Sequence, residues 1–253
     1  TAGFLDSTDT TGITASKIIN VPERSLPTIV GQTWTRNTSY VKKFFVESET
    51  ISDEDIKDSD VDVLATTIRD LVRAVANQVD IRVYSTLIEA AAATPTTPNP
   101  TNTLTTVATA DGWDDEATGN PIKDILTGNR KIRAQSYDTN SIVLYINPIE
   151  HENLMNFLIT VKGSSIPAFS SQAVVKGQVM EILGNRVIVS QNATTDNALQ
   201  FIPGVSVAWK SFGNITSEVM RDPGIGRKVR VWEHGEGLLE NPKSVHQITD
   251  TVV

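Results

Sequence analysis

The sequence predicts an α+β fold, and three features of its patterning carry that expectation. Apolar residues recur at helical spacing from about residue 59 to about 92, two further helix starts flank a short apolar run in the middle, and the final third reads as strands. The 253 residues suffice for one large domain or two smaller subdomains with real cores.

Residues 1 to about 31 are rich in Thr, Ser, Asp and Gly with isolated Ile, Val and Pro, and show neither a helical period nor a clean alternation. Such a stretch reads as a flexible terminus or as an arm that orders only against a neighbour. From Gln32 to Ser48 the residues turn β-favouring, with Trp34, Tyr40, Val41, Phe44, Phe45 and Val46 around a turn-like Asn37-Thr38-Ser39. This predicts a β-hairpin. Hairpins are marginal alone in water, so this one must pack on its own domain or on another subunit.

Ser52-Asp53-Glu54-Asp55 and Asp58-Ser59-Asp60 then supply capping oxygens and the negative charge that a helix N-terminus favours. Val61, Leu64, Ile68, Leu71, Val75, Val79, Val83 and Leu87 follow at spacings of three or four. A helix from about Ser59 to Ala92 is expected, about 50 Å long at 1.5 Å per residue. Arg69, Asp70, Arg73, Asp80 and Arg82 fall off the stripe and read as a solvated face. Thr94-Pro95 ends the helix, and TPTTPNPTNTLTT is expected to be irregular.

Asn120-Pro121 and Asn147-Pro148 each place a cap residue before a proline at the first helical position. Between them, Ser141 to Ile146 is a near-continuous apolar run, the pattern of a strand buried on both faces. Gln178 to Leu183 and Arg186 to Val189 read as a hairpin with Gly184-Asn185 as a type II′ loop. Further strands are expected at 198–202, 205–212, 215–220, 228–232 and 244–248.

Composition narrows function by exclusion. No apolar run approaches the roughly 20 residues needed to span a bilayer. The absence of Cys removes disulfides, thiolate nucleophiles and Cys metal sites. A net charge of -8 opposes a grip on nucleic acid phosphates, though not the enclosure of nucleic acid. The three histidines, His151, His234 and His246, show no metal-ligand spacing, and no G-x-S-x-G elbow accompanies them, so the sequence predicts neither metal nor catalytic residues nor any cofactor. Asp53–Asp55 reads as capping. Asp111, Asp114, Asp115 and Glu116 read as a solvated loop without the alternating ligands of a calcium site. Gly224-Ile225-Gly226 leads into a strand and not a helix, which makes it a turn and not a phosphate loop. The three N-x-T or N-x-S triplets, at Asn37, Asn192 and Asn214, are what chance provides in a Thr-rich chain.

The order of arm, hairpin, long helix, α/β block and terminal strands closing with Asp-Pro-Gly-Ile-Gly resembles the major capsid proteins of tailed bacteriophages and their archaeal virus relatives, the Hong Kong 97-type fold. SIVLYINPIEHENLM and GNRVIVSQNATTDNALQFIPGVSVAW carry the best local likeness. The resemblance implies an N-terminal arm at 1–31, an extended loop at 32–57, a spine helix and loop of a peripheral domain at 58–119, an axial domain at 120–203, and strands returning to the peripheral domain at 204–253. It implies a virion protein assembled in the host cytoplasm into pentamers and hexamers that enclose double-stranded DNA without reading its sequence. Scaffold, protease, portal and decoration proteins would be its partners, and no membrane. A chain beginning at Thr1 without an initiator methionine fits a form from which a leader has been removed. Trp34, Arg36, Tyr40, Lys42, Lys43, Phe44 and Phe45 of the extended loop are the expected inter-subunit contacts. Some relatives form Lys–Asn isopeptide bonds assisted by a carboxylate; Lys42 and Lys43 lie in the matching loop, with no Asn or acid assigned. Encapsulin compartments share this fold but usually begin with a helix, which 1–31 does not show. A secreted β-rich surface-layer or adhesion module is the competing class, and a hydrolase using His234 or His151 is the outsider.

Overall fold

The computed structural model describes residues 2–5, 26, 34–37, 40–59, 62–89, 105–108, 111–115, 117–135, 137–161 and 181–252. In chain order the strands are β1 (Ala2–Leu5), β2 (Trp34–Asn37), β3 (Lys42–Glu47), β4 (Ile51–Ser52), β5 (Thr105–Ala108), β6 (Val143–Ile146), β7 (Glu181–Ile182), β8 (Asn185–Val189), β9 (Asn197–Phe201), β10 (Val207–Asp222), β11 (Gly226–Leu239) and β12 (His246–Thr249). The helices are α1 (Asp53–Asp58), α2 (Val63–Glu89), α3 (Pro121–Ala134) and α4 (Pro148–Asn156), the last continued by a π-helical turn at Phe157–Val161. Two compact units result: 39–86 with 208–238, and 1–38 with 87–207 and 239–253.

In the unit of 39–86 and 208–238, α2 lies on a sheet ordered β10-β11-β3, with β4 also paired to β11. The expected stripe is the buried face: Leu64, Ile68, Leu71 and Val75, joined by Val72 beside it, pack on Val229 and Val231 of β11 and on Phe44 and Val46 of β3. The helix begins four residues later than its charge pattern suggests. Asp62 is the cap, its Oδ1 accepting from Ala65 N–H at 3.0 Å. Ser52 instead caps the separate short α1, accepting from Asp55 N–H at 3.0 Å. The end expected at Ala92 lies outside the described residues, as does Val61.

Arg82 corrects the reading of a wholly solvated face. Its Nε and Nη2 donate to Glu236 Oε1 at 3.0 and 2.5 Å, and the Glu236 side chain is buried. A carboxylate inside a protein needs a cation this close. Trp209 lies across Gly235 and donates from Nε1 to Glu233 Oε1 at 3.0 Å. A Cβ on Gly235 would stand 2.3 Å from the indole, so glycine is required by the close approach.

The hairpin expected within 32–48 does not form as such. β2 pairs antiparallel with β1, Leu5 opposite Trp34, whereas β3 pairs antiparallel with β11, Phe45 opposite Trp232. Strand propensity marks a segment as extended without naming its partner, and here each half finds its partner elsewhere. Ala2–Leu5 is thus regular structure inside the expected arm; the arm's residues 6–25 and 27–33 lie outside the described residues. The strands expected at 205–212 and 215–220 are one strand, β10, joined to β11 by the turn Asp222–Ile225. Pro223 precedes Gly224 at φ 78° there, the type II pattern.

The other unit is built on a sheet ordered β5-β12-β9-β6-β8-β7. β6 is buried along its whole length, parallel to β8 and antiparallel to β9, as its uninterrupted apolar sequence requires. Both Asn-Pro starts form as expected: Asn120 accepts from Lys123 N–H, and Asn147 from Ile149 N–H. Trp113, Ile125, Leu144, Leu154, Leu158 and Ile248 share one core cluster. The segment expected to be irregular ends in β5, which runs parallel to β12; the backbone pairs because β12 leaves it an edge. The β7–β8 loop is Leu183-Gly184 and not Gly184-Asn185. Both residues have positive φ, 52° and 79°, which is the type I′ geometry matched to strand twist. Gln178–Met180 lie outside the described residues.

Buried polar groups tie this unit together. Gln200 Nε2 donates to Ile125 O and to Asn129 Oδ1, each at 3.2 Å, and Asn185 Nδ2 donates to the same Asn129 oxygen at 3.0 Å. The fully buried Glu150 accepts from Asp196 N–H at 2.6 Å and Thr251 Oγ1 at 3.4 Å, while Asp196 accepts from Val252 N–H at 2.9 Å. Trp113 donates its backbone N–H to Thr251 O and its indole N–H to Asp124. Burial raises the Asp124 pKa, against the opposing pull of that indole bond.

Two outcomes follow. A Cβ at Gly128 would stand 1.6 Å from Gln200 Oε1 and 2.6 Å from His246 Cδ2. Gly128→Ala gains about 1 kcal/mol of helix propensity but overpacks a buried, bonded site at a cost of about 1–3 kcal/mol. Net destabilisation in urea unfolding is expected; a stabilised variant would contradict the packing. Arg82→Ala strands Glu236 and should cost about 3–5 kcal/mol. The double variant Arg82→Met with Glu236→Leu should recover most of that loss, read by tryptophan fluorescence during unfolding.

Candidate assembly surface

The alternation of β3 sorts the residues expected to contact other subunits. Phe44 and Val46 point to α2, and the Phe44 ring stands 6.2 Å from that of Trp209. Lys43, Phe45 and Glu47 therefore point to the opposite face, which α2 leaves uncovered. Phe45 there is 49% exposed and stands 6.3 Å, centroid to centroid, from Trp232 directly across the ladder. The Lys43 ammonium lies 4.9 Å from the Phe45 ring centre and 5.9 Å from that of Trp232. Arg230 Nε donates to Glu47 Oε2 at 2.7 Å one pair further on. The result is a cationic and aromatic stripe on an open sheet face.

Lys42 is exposed, and Tyr40 is 85% exposed just before the strand. Trp34 and Arg36 lie on β2, opposite Leu5 and Gly3 of β1; their side chains lie outside the described residues. Sequence reasoning missed Trp232 and Arg230, although the alternation of Val229-Arg230-Val231-Trp232 already puts both on the face opposite the two valines.

Among the described residues β3 also ends its sheet. Ser48 donates its N–H to Val229 O at 2.8 Å, so in an antiparallel ladder Val46 and Phe44 likewise turn their backbone groups toward β11. The N–H and C=O groups of Lys43, Phe45 and Glu47 face away from the sheet. Beside this edge lies a groove of about 400 Å³, walled by β3 and by Ala74, Val75, Asn77 and Gln78 of α2. The far edge is β10, where Phe212 is 71% exposed and Ile215 and Val219 are also exposed.

The residues weighed for chemistry are not assembled into a site. Asp115 spends its carboxylate on its own loop, accepting from Ala117 N–H, Thr118 N–H and Thr118 Oγ1, which holds its pKa below the usual value. Among the described residues no group of three or more His, Asp or Glu could hold a metal ion. His246 is fully buried, His234 lies on β11, and His151 lies on α4, where burial lowers its pKa. No described helix is long and apolar enough to cross a membrane.

Comparison with known proteins points one way. The sequence profile of a family described as phage capsid protein matches residues 37–246. The capsid of cyanophage P-SCSP1u is similar in structure, with a TM-score of 0.66 at 15% identity over 98% of this chain and 82% of that one. Mycobacterium phage Che8 gives 0.61 at 17% identity over 91% and 78%. A virus-like particle from Pyrococcus furiosus gives 0.52 at 14% identity over 87% and 78%. Comparison with curated proteins gives no match.

The two neighbouring phenylalanines should separate cleanly. Phe44→Ala opens the packing against Trp209 and should cost about 3 kcal/mol, whereas Phe45→Ala, half in solvent already, should change monomer stability by less than about 1 kcal/mol. Equal losses in urea unfolding would refute the assignment of faces.

Proposed function

The chain belongs to the phage capsid protein family and has the Hong Kong 97-like fold, and from that premise we propose that it is the major capsid protein of a tailed virus, assembling into the pentamers and hexamers of an icosahedral head. The observation that carries this reading is a sheet that, among the described residues, is left open on one face and at both edges, with aromatic and aliphatic side chains in solvent. An isolated soluble domain has reason to cover such edges, and a shell subunit has reason to keep them for its neighbours.

In this reading residues 1–31 are the arm and 32–57 the extended loop. α2 is the spine helix of a peripheral domain drawn from 58–119 and 204–253, except that β5 and β12 of those spans join the sheet of the axial domain at 120–203. Tyr40, Lys42, Lys43 and Phe45, with Trp34 and Arg36, are the contacts offered to adjacent subunits, while Phe44 holds the loop to its own sheet. The head encloses double-stranded DNA by volume, since a net charge of -8 gives the shell no general affinity for phosphate. Assembly takes place in the host cytoplasm, with scaffold, protease, portal and decoration proteins as candidate partners, and the protein acts structurally without catalysis.

Electron microscopy of the purified protein tests the reading directly. Closed polyhedral particles are expected, and Tyr40→Ala with Phe45→Ala should reduce their yield about tenfold or more while leaving the monomer folded. Persistent monomers under every assembly condition would sink the proposal, and particles loaded with a protein cargo in place of nucleic acid would favour the encapsulin reading.

A further inference from the structure

Among the described residues both edges of one sheet are open in the unit of 39–86 and 208–238, and they are unlike each other. β3 turns the N–H and C=O groups of Lys43, Phe45 and Glu47 outward beside the groove on α2. β10 ends the other side, and among the described residues it pairs with β11 alone. Exposed large apolar side chains stand at both edges: Tyr40, Val41 and Phe45 at one, Phe212, Ile215 and Val219 at the other. An outward row of backbone donors and acceptors is satisfied best by another strand, which makes a strand the fitting ligand of each edge.

We propose that the sheet continues from one copy of the chain into the next, the β3 edge of one copy pairing with the β10 edge of its neighbour. The proposal rests on the shell reading and specifies the contact through which neighbours join. Two considerations select β10 as the occupant. Pairing β3 with β3 of a second copy would be two-fold symmetric, would stop at a dimer and would leave the apolar β10 edge in water. Pairing unlike edges is head-to-tail, uses both, and closes into a ring when the rotation between copies permits. In a ring that keeps α2 on the same face of every copy, the direction follows from topology. β10 and β11 are joined by a tight turn and so are antiparallel, and β11 is antiparallel to β3. β10 and β3 therefore run the same way, and the joined strands are parallel. The added strand lays alternate side chains into the groove between β3 and α2 and over the exposed ring of Phe45.

The chain contains no cysteine, which allows an unambiguous cross-linking test. Phe45→Cys is combined in turn with Phe212→Cys, Asn214→Cys, Thr216→Cys or Glu218→Cys, and assembled material is oxidised. Adjacent strands bring Cα atoms within disulfide reach, so at least one combination should give a ladder of covalent oligomers while each single variant stays monomeric under denaturing conditions. A covalent dimer from Phe45→Cys alone would mean like-edge pairing and overturn the proposal. Closed particles without any ladder would overturn it too, leaving the shell reading intact. Failure of the unsubstituted protein to form particles, with no ladder from any combination, would remove both. Hydrogen exchange in the unsubstituted protein provides a second readout independent of the variants. Amides of Lys43, Phe45 and Glu47 should exchange at least about tenfold more slowly in particles than in dissociated protein, and unchanged exchange would contradict the pairing.

Discussion

The seating of the α2 apolar stripe on Val229 and Val231 is the contact from which the rest of its unit follows. Once those valines face the helix, the period of two in a strand leaves no freedom. Phe44 and Val46 must turn inward on β3, and Lys43, Phe45 and Glu47 must turn outward. The same parity carries Arg230 and Trp232 to the outside of β11, opposite Glu47 and Phe45. The exposed stripe is therefore a by-product of the core, held by buried packing that no partner needs to supply. A surface preformed in this way loses little entropy on docking, which favours rapid, accurate association of many identical copies.

The other unit achieves rigidity by a different device. Its sheet carries a buried Gln, Asn and His at the place where α3 crosses, and Gly128 lets the helix backbone approach closely enough for Gln200 to reach Ile125 O. Amide bonds in a low-dielectric setting are directional, so they fix the helix in one register where apolar contacts alone would allow several. Glu150 does the same for the end of the chain, gathering Asp196 and Thr251 onto the start of α4.

A subunit of a closed shell must satisfy two opposing demands. It has to fold and stay soluble before assembly, and it has to hold apolar surface and backbone edges ready for its neighbours. The chain meets the first with a net charge of -8 and with lysines at the β3 edge, both of which oppose premature pairing. It meets the second by placing Tyr40, Phe45 and Phe212 where its own helices do not reach. The ammonium of Lys43 over Phe45 and Trp232 serves both ends, shielding aromatic faces with a charge that can move aside.

Local chemistry made much of this legible in advance. The α2 stripe, the two Asn-Pro helix starts, the buried β6 and the Asp222–Gly226 turn each depend on neighbours in sequence, and each formed where the residues indicated. The charge run before α2 misled by four residues because several acids can cap and only the tertiary path selects Asp62. What the chain could not reveal locally was partnership. Nothing near Trp34 or Phe45 in sequence says that one strand joins β1 and the other β11, since backbone pairing is chemically generic and its choice is made by distant residues. Arg82 looked like any solvated cation until Glu236, 154 residues away, was folded against it. By itself the sequence determined most of the elements, their layout and the absence of cysteine. Only the tertiary structure decided which edges remain open, because an open edge is defined by the strand that is not beside it.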